Sequence, residues 1–215
     1  WSYRKDFLTN QIALMRPEVI GLQEVLHNQK LDLTAALPQY MIIGGGRDDG
    51  ATEGEYAPLA LDTSAFQVRS NGQFWLSATP DVPSIGWDAS YKRIVVWAHV
   101  RHRQTGQAIL IVNTHWDHKL RKNRKAGEGV IVLGDFNTVA QSPAIGNLTD
   151  NAGSEPFLRN AYSVSATGPI GPKMSFNAFA IQPESGDHID HIFISAPFRV
   201  THYATIAQHD GVRVP

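Results

Sequence analysis

The sequence predicts a mixed α/β protein, and three apolar runs that each end in polar residues are the main reason. The runs lead into Gln23-Glu24, into Asn113-Thr114-His115 and into Gly134-Asp135-Phe136-Asn137. Short runs rich in β-branched and aliphatic residues are typical of buried strands, and helical patterns stand on either side of the first run. In open sheets of this kind, ligands bind beyond the strand ends. We therefore expect one active site where the three runs end.

Helix and strand signals follow one another along the first half of the chain. Residues 3–16 carry apolar side chains at helical spacing, a second short helix is expected over 28–37, and a strand over 40–43. From Tyr56 to Trp97, short strands alternate with turn signals such as Asn71-Gly72, as they do in antiparallel hairpins. These signals indicate helices and hairpin-rich sheets within one chain.

Composition limits the class of protein. With 215 residues, 42% of them hydrophobic, the chain is long enough to bury the core of one large domain. A formal net charge of -1 lacks the positive field of proteins that coat duplex DNA. The absence of cysteine excludes disulfides, zinc-thiolate sites and a cysteine nucleophile. No run of eighteen apolar residues occurs, so we expect a soluble protein without a membrane span.

Two loops stand beside the expected site. Residues 44–50 are rich in glycine and are expected to form a flexible loop, because no lysine and no helix follow to bind phosphate. The connection from His118 to Val130 is short if the strands that it joins are parallel neighbours. Such a crossover needs a dozen or more residues, and eleven intervene. We expect part of this connection to be absent from the sequence.

Four motifs together resemble the endonuclease/exonuclease/phosphatase superfamily, whose branches include DNase I, apurinic endonuclease, sphingomyelinase and deadenylase. The motifs are Gly21 to Glu24, Asn113 to His118, Leu133 to Asn137 and His188 to Phe193. The segments Gly46 to Gly50, Gly54 to Pro58 and Phe74 to Ala89 are similar to a bacterial branch of that superfamily. The resemblance covers nearly the whole chain.

The resemblance implies a four-layer α/β/β/α sandwich of the DNase I type. Residues 1–215 would form a single domain of this kind. Compared with the family, we expect the sequence to lack an N-terminal strand, a crossover segment near 119–129 and the C-terminal strand. The histidine that the family carries in that last strand does not occur before Pro215.

The chemistry that this family implies is metal-dependent hydrolysis of a phosphoester. The reaction needs a cation, a water aimed in line and donors for the charge that accumulates. Glu24 would supply the oxygen ligand for Mg²⁺ or Mn²⁺. Asp135 would take the proton of the water or orient it, and Asn137 would hold water or phosphate. His115 would donate to a phosphate oxygen.

The resemblance assigns further residues. Glu55 matches the carboxylate that orients the histidine at position 115, and Asp190 matches the residue that orients the family's second histidine. Arg93 would meet a phosphate or form a structural ion pair, and these two interpretations stay open. The predicted substrate-binding residues are Asn113, Arg93, Asn177 and Trp87. Of these, Trp87 would form a wall of the cleft.

The expected function is hydrolysis of a phosphodiester, in nucleic acid or a small diester, by in-line attack of an activated water. One alternative is a phosphomonoesterase that acts on a sugar, inositol or lipid head-group phosphate. Another is a catalytically silent binding module on the same scaffold. We expect a monomer whose partner is the phosphate-ester substrate, with no protein partner. The compartment stays open between secreted, periplasmic and cytoplasmic in a bacterium.

Overall fold

The computed structural model describes residues 1–86, 89–115, 128–149, 157–176, 178, 180–181, 185–207, 209 and 211. Its helices are α1 (Lys5–Met15), α2 (His27–Ala36) and α3 (Pro143–Thr149). Its strands are β1 (Val19–Gly21), β2 (Tyr40–Ile43), β3 (Leu59–Asp62), β4 (Phe66–Trp75), β5 (Ile94–His102), β6 (Ala108–His115), β7 (Gly129–Asp135), β8 (Arg159–Asn160), β9 (Pro169–Ile170), β10 (Asp190–Ile194) and β11 (Tyr203–Ala204). The elements α1, α2 and β2 lie where the sequence predicts them. Within the described ranges, no helix combines the length and the apolar character needed to cross a bilayer.

Most strands belong to two sheets. The smaller sheet has the order β1-β3-β2 and is antiparallel. The larger has the order β4-β5-β6-β7-β10-β8, in which β6 and β7 run parallel and the other neighbours antiparallel. The strands that end at His115 and Asp135 are therefore parallel neighbours. Most of the short connection between them, residues 116–127, lies outside the described residues.

Three apolar layers stack the elements in the order helix, sheet, sheet, helix. The inner layer joins the facing sides of the two sheets and includes Ile43, Leu59, Leu61, Val96, Ala98, Ile109 and Ile111. On the outer side of the smaller sheet, Ile12 of α1 and Leu33 of α2 pack in a second layer. On the outer side of the larger sheet, Ile145 and Leu148 of α3 pack in a third. This arrangement is the expected four-layer α/β/β/α sandwich.

One predicted turn is part of a strand. Asn71 and Gly72 lie inside β4, where they pair with Ala98 and Trp97 of β5. A Cβ added to Gly72 would lie 2.7 Å from the Trp97 ring. The glycine therefore makes room for an indole on the neighbouring strand, and the prediction of a turn here was wrong.

Candidate active site

Polar side chains from neighbouring strands meet at one edge of the larger sheet. His115 ends β6 and stands opposite Asp135, which ends β7. Asp135 also stands opposite Asp190, the first residue of β10. Arg93 directly precedes β5, the neighbour of β6 on its other side. Because neighbouring strands lie about 4.8 Å apart, these residues form a row from a cation through an imidazole to two carboxyl groups.

A turn after β7 brings Asn137 back to His115. The backbone N–H of Asn137 donates to Oδ1 of Asp135 at 2.7 Å, and Nδ2 of Asn137 lies 2.7 Å from Nε2 of His115. Phe136, between them in sequence, is buried in the layer beneath α3. Asn137 has a φ of 47°, a left-handed conformation that asparagine tolerates better than most residues. Burial of Phe136 thus helps to hold Asp135 and Asn137 beside the histidine.

The pKa of the Asp135 carboxyl group is raised toward neutral pH. Burial raises its pKa to about 6, although the N–H of Asn137 acts in the opposite direction. The negative charges of Asp190 and Glu24 raise the pKa further, and the charge of Arg93 lowers it. A carboxyl group whose pKa lies close to neutral pH is well suited to accept a proton in catalysis.

His115 is a neutral side chain at pH 7. Burial lowers its pKa to about 4, and the positive charges of Arg93 and Arg47 lower it as well. Because an amide N–H of Asn137 donates to Nε2, the proton of the neutral ring is on Nδ1. His115 therefore offers one N–H donor, without a positive charge.

Glu55 lines the same pocket as His115, but the two side chains are not hydrogen-bonded to each other. The Oε2 atom of Glu55 lies 2.5 Å from Nη1 of Arg47. Among the described residues, the ring of His115 is hydrogen-bonded by Asn137 and not by Glu55. The predicted hydrogen bond between Glu55 and His115 is therefore not formed, because Arg47 takes the carboxylate.

Arg47 is a site residue that the sequence reasoning missed. It lies in the glycine-rich residues 44–50, which form an internally hydrogen-bonded loop. The carboxylate of Asp49 accepts bonds from the backbone N–H groups of Ala51, Thr52 and Glu53. The indole N–H of Trp75 donates to the carbonyl of Arg47 at 2.7 Å. An aspartate that bonds the backbone two residues later is typical of an ordered turn, and this signal could have indicated that Arg47 has a fixed place.

Arg93 is half-buried, yet its guanidinium makes no hydrogen bond and no ion pair with any side chain in the described part of the chain. Burial lowers its pKa, as does the charge of Arg47, while Asp135, Glu55 and Glu24 raise it from a distance. The side chain lines a small, open pocket together with His115 and Lys92. A guanidinium with open donors is suited to bind two phosphate oxygens.

Asn113 has a structural role, which corrects its prediction as a substrate-binding residue. Its side chain is fully buried, and Oδ1 accepts a bond of 2.8 Å from Gln23. Its Nδ2 lies 3.0, 3.1 and 3.0 Å from the carbonyl oxygens of Leu22, Ala57 and Pro58. The amide is therefore fully used within the protein. A Cβ added to Gly21 would lie 2.4 Å from Oδ1 of Asn113, so this close approach requires glycine.

Glu24 is the candidate metal ligand. It is exposed, and its φ of 56° places it in the left-handed region, which is strained for glutamate. Among the described residues, no three His, Cys, Asp or Glu side chains form a group that could hold a metal ion by themselves. Mg²⁺ is often bound by one or two carboxylates together with waters and substrate phosphates. The charges of Asp190 and Glu24 both act on Asp135, and carboxylate oxygens are donors that would fit Mg²⁺ or Mn²⁺.

The remaining predicted residues fall into two groups. The backbone N–H of Asp190 donates to Oγ of Ser175 at 3.0 Å, which fixes the start of β10 beside Asp135. Trp87 and Asn177, both predicted to bind substrate, lie outside the described residues.

Known proteins share this architecture. The profile of the Endonuclease/Exonuclease/phosphatase family matches residues 1–210. An endonuclease/exonuclease/phosphatase from Bacteroides vulgatus is 36% identical, with a TM-score of 0.89 over 99% of this chain and 86% of that chain. The mannosyl-6-phosphatase of Bacteroides thetaiotaomicron is 31% identical, with a TM-score of 0.86 over 97% and 82%. An uncharacterised protein of Acanthamoeba polyphaga mimivirus is 26% identical over 82% of this chain and 72% of its own length. The chain belongs to the endonuclease/exonuclease/phosphatase family.

Proposed function

We propose that this protein is a divalent-metal-dependent phosphoesterase that hydrolyses a phosphomonoester. The observation that carries the proposal is Arg93, a half-buried guanidinium whose donors are open to the pocket beside His115. A phosphate group bound by Arg93 and His115 would lie next to Asp135, whose carboxyl group accepts a proton near neutral pH. Membership of the family supports phosphoester hydrolysis as the class of reaction.

Charge favours a monoester over the diester that the sequence predicts. A phosphomonoester carries up to two negative charges and a diester carries one. The pocket is lined by three cations, Arg47, Lys92 and Arg93, and by one carboxylate, Glu55, although the whole chain has a net charge of -1. This positive charge is local and differs from the broad basic surface that tracks a nucleic-acid backbone. The resemblance to the mannosyl-6-phosphatase supports the same substrate class.

Four side chains have separate roles in the reaction. The oxygen of a water attacks phosphorus as Asp135 takes one of its protons, and the bond from phosphorus to the leaving oxygen breaks on the opposite side. The leaving alkoxide takes a proton from solvent and departs as an alcohol. The Nδ1–H group of His115 and the guanidinium of Arg93 donate to the nonbridging oxygens as charge accumulates. Asn137 holds the imidazole in this orientation through Nε2.

Glu24 would hold the divalent cation, and its exposed carboxylate leaves room for waters and for the phosphate. The cation would neutralise charge on the phosphoryl oxygens. A hard cation is expected because the neighbouring donors are carboxylate oxygens and the chain contains no cysteine.

A panel of substrates in the presence of Mg²⁺ tests the proposal. It consists of mannose 6-phosphate, p-nitrophenyl phosphate, bis(p-nitrophenyl) phosphate and single-stranded DNA. We expect the wild type to turn over the two monoesters faster than the two diesters. Asp135→Asn should lower kcat by about two to four orders of magnitude, with little change in KM, because the carboxylate acts mainly in the transition state.

The folding control for this variant is its melting temperature. The variant should melt no lower than the wild type, since it replaces a buried carboxylate whose ionisation is costly. A loss of tenfold or less would contradict the role of Asp135. Faster turnover of the diesters would favour the function that the sequence predicts. Phosphate binding without any turnover would favour the silent binding module.

A further inference from the structure

We propose that Tyr91, Arg47 and the pair formed by Asp48 and Lys92 make a subsite for the leaving group, and that this subsite binds a sugar ring. The inference rests on the proposed phosphomonoesterase activity. It adds the part of the substrate that lies beyond the phosphate.

These residues form a connected rim at the cationic end of the site. The guanidinium carbon of Arg47 lies 4.9 Å from the centre of the Tyr91 ring. The amine of Lys92 donates to the carbonyl of Asp48 at 2.9 Å, and it lies 3.6 Å from the Asp48 carboxylate. Glu55 holds Arg47 from the other side. The segment before β5 is thus fastened to the loop of residues 44–50.

The position of the rim follows from the direction of attack. Along the row of strand ends, Asp135 lies on one side of His115 and Arg93 lies on the other. If Asp135 takes the proton of the attacking water, the water approaches from that side. In an in-line displacement the leaving oxygen departs on the opposite side of phosphorus. That direction leads past Arg93 toward Lys92, Tyr91 and Arg47.

The chemistry of the rim suits a sugar. A pyranose presents an apolar face of C–H groups, which packs on an aromatic ring, and an edge of hydroxyl groups that both donate and accept hydrogen bonds. Tyr91 is 57% exposed, so much of its side chain is open to a ligand while Arg47 stacks on the ring. The carboxylates of Glu55 and Asp48 accept from hydroxyl groups, and Lys92 donates to them. A 5′-ribonucleotide would use the aromatic face for its base, and its ribose offers only two hydroxyl groups to these charged pairs.

The test compares leaving groups. For each protein, kcat/KM is measured with mannose 6-phosphate, adenosine 5′-monophosphate and methyl phosphate, which has no ring. The variants are Tyr91→Ala and Tyr91→Phe, which keeps the aromatic face. Tyr3→Ala is the matched control, because Tyr3 is 58% exposed and precedes α1. In parallel, saturation-transfer NMR measures the binding of methyl α-mannoside to the wild type and to each variant.

We expect the ratio of kcat/KM for mannose 6-phosphate to that for methyl phosphate to fall about tenfold in Tyr91→Ala. The ratio should stay near the wild-type value in Tyr91→Phe and in Tyr3→Ala. The NMR signal of the mannoside should be lost in Tyr91→Ala alone. An unchanged ratio of kcat/KM for mannose 6-phosphate to that for methyl phosphate would overturn the sugar subsite. A fall confined to adenosine 5′-monophosphate, whose base could stack on Tyr91, would overturn it as well.

The two proposals fail separately. If the wild type hydrolyses no phosphate ester at all, the proposed function fails, and the NMR signal of the mannoside still tests the subsite. If monoesters are hydrolysed but the mannoside does not bind and the ratio does not change, the subsite fails and the function stands.

Discussion

Asp135 and His115 ionise in the reverse of their usual order. Burial raises the pKa of Asp135 to about 6 and lowers that of His115 to about 4. The carboxyl group therefore loses its proton at a pH at which the ring is already neutral. The Nε2 atom of His115 and the Oδ2 atom of Asp135 lie 3.8 Å apart. At pH 7 an ionised carboxylate and a neutral imidazole therefore stand side by side.

This order predicts the pH dependence of the reaction. Asp135 must be ionised to accept a proton, so kcat/KM should fall about tenfold per pH unit below pH 6 and level off above it. His115 should add no second step between pH 5 and 8, because it stays neutral there. The measurement is kcat/KM from pH 4.5 to 8.5 at constant Mg²⁺. A flat profile would contradict the assignment, whereas an acid limb that persists unchanged in Asp135→Asn would belong to the second ionisation of the phosphomonoester.

At the scale of elements, β6 links the two sheets through one side chain. Asn113 lies in the larger sheet and bonds the backbone beside both β1 and β3 of the smaller sheet. The side-chain amide of Asn113 is fully buried, and its two hydrogens are shared among the three carbonyl oxygens. The link sets the relative position of Glu24, which follows β1, and of His115 at the end of β6.

Asn113→Ala should therefore destabilise the protein strongly. Unpaired buried carbonyl groups would lower the free energy of unfolding by about 3 kcal/mol, which corresponds to a fall in Tm of roughly 6 to 12 °C. Gln23→Ala is the matched control, since it removes only the bond to Oδ1 and should cost about 1 kcal/mol. Thermal unfolding followed by circular dichroism gives both values. Equal stability of Asn113→Ala and wild type would refute the structural role.

At the scale of the whole molecule, the site exists because two sheets pack face to face. The smaller sheet contributes Glu24 after β1 and Glu55 before β3. The larger sheet contributes Arg93, His115 and Asp135 at neighbouring strand ends. Glu24 and Asp190 add negative charge around Asp135. A divalent cation bound at Glu24 would relieve the repulsion among the carboxylates.

Metal binding should therefore stabilise the folded protein. At a Mg²⁺ concentration near 100 times Kd, the gain is about 2.7 kcal/mol, a rise in Tm of roughly 5 to 10 °C. Glu24→Ala should lose this rise together with activity, and chelation should abolish the activity of the wild type. Glu18→Ala, at an exposed carboxylate before β1, is the control that should keep both. An undiminished thermal shift in Glu24→Ala would contradict the metal assignment.

The local pattern of apolar and polar residues in the sequence was sufficient to predict much of the fold and part of the candidate site. Apolar runs show where buried strands end, and the polar residues at those ends supplied His115, Asp135 and Asn137. The resemblance of the motifs to the family predicted the layers of the sandwich and the site residues Glu55 and Asp190. The strand ends are predictable because each end is encoded by its own residues, and the register of β6, β7 and β10 then brings the ends together. The catalytic roles of these residues stay predictions.

The sequence by itself thus determined the strands, their polar ends and the family, whereas only the tertiary structure decided which atoms meet. In the folded protein Glu55 pairs with Arg47 instead of His115, and Asn113 is buried between the sheets. Gly72 also lies against Trp97 inside β4, where a turn was predicted. Each of these outcomes depends on residues distant in the chain competing for the same donor, acceptor or space. Such competition is settled by packing, and the spacing of residues along one segment carries no record of it.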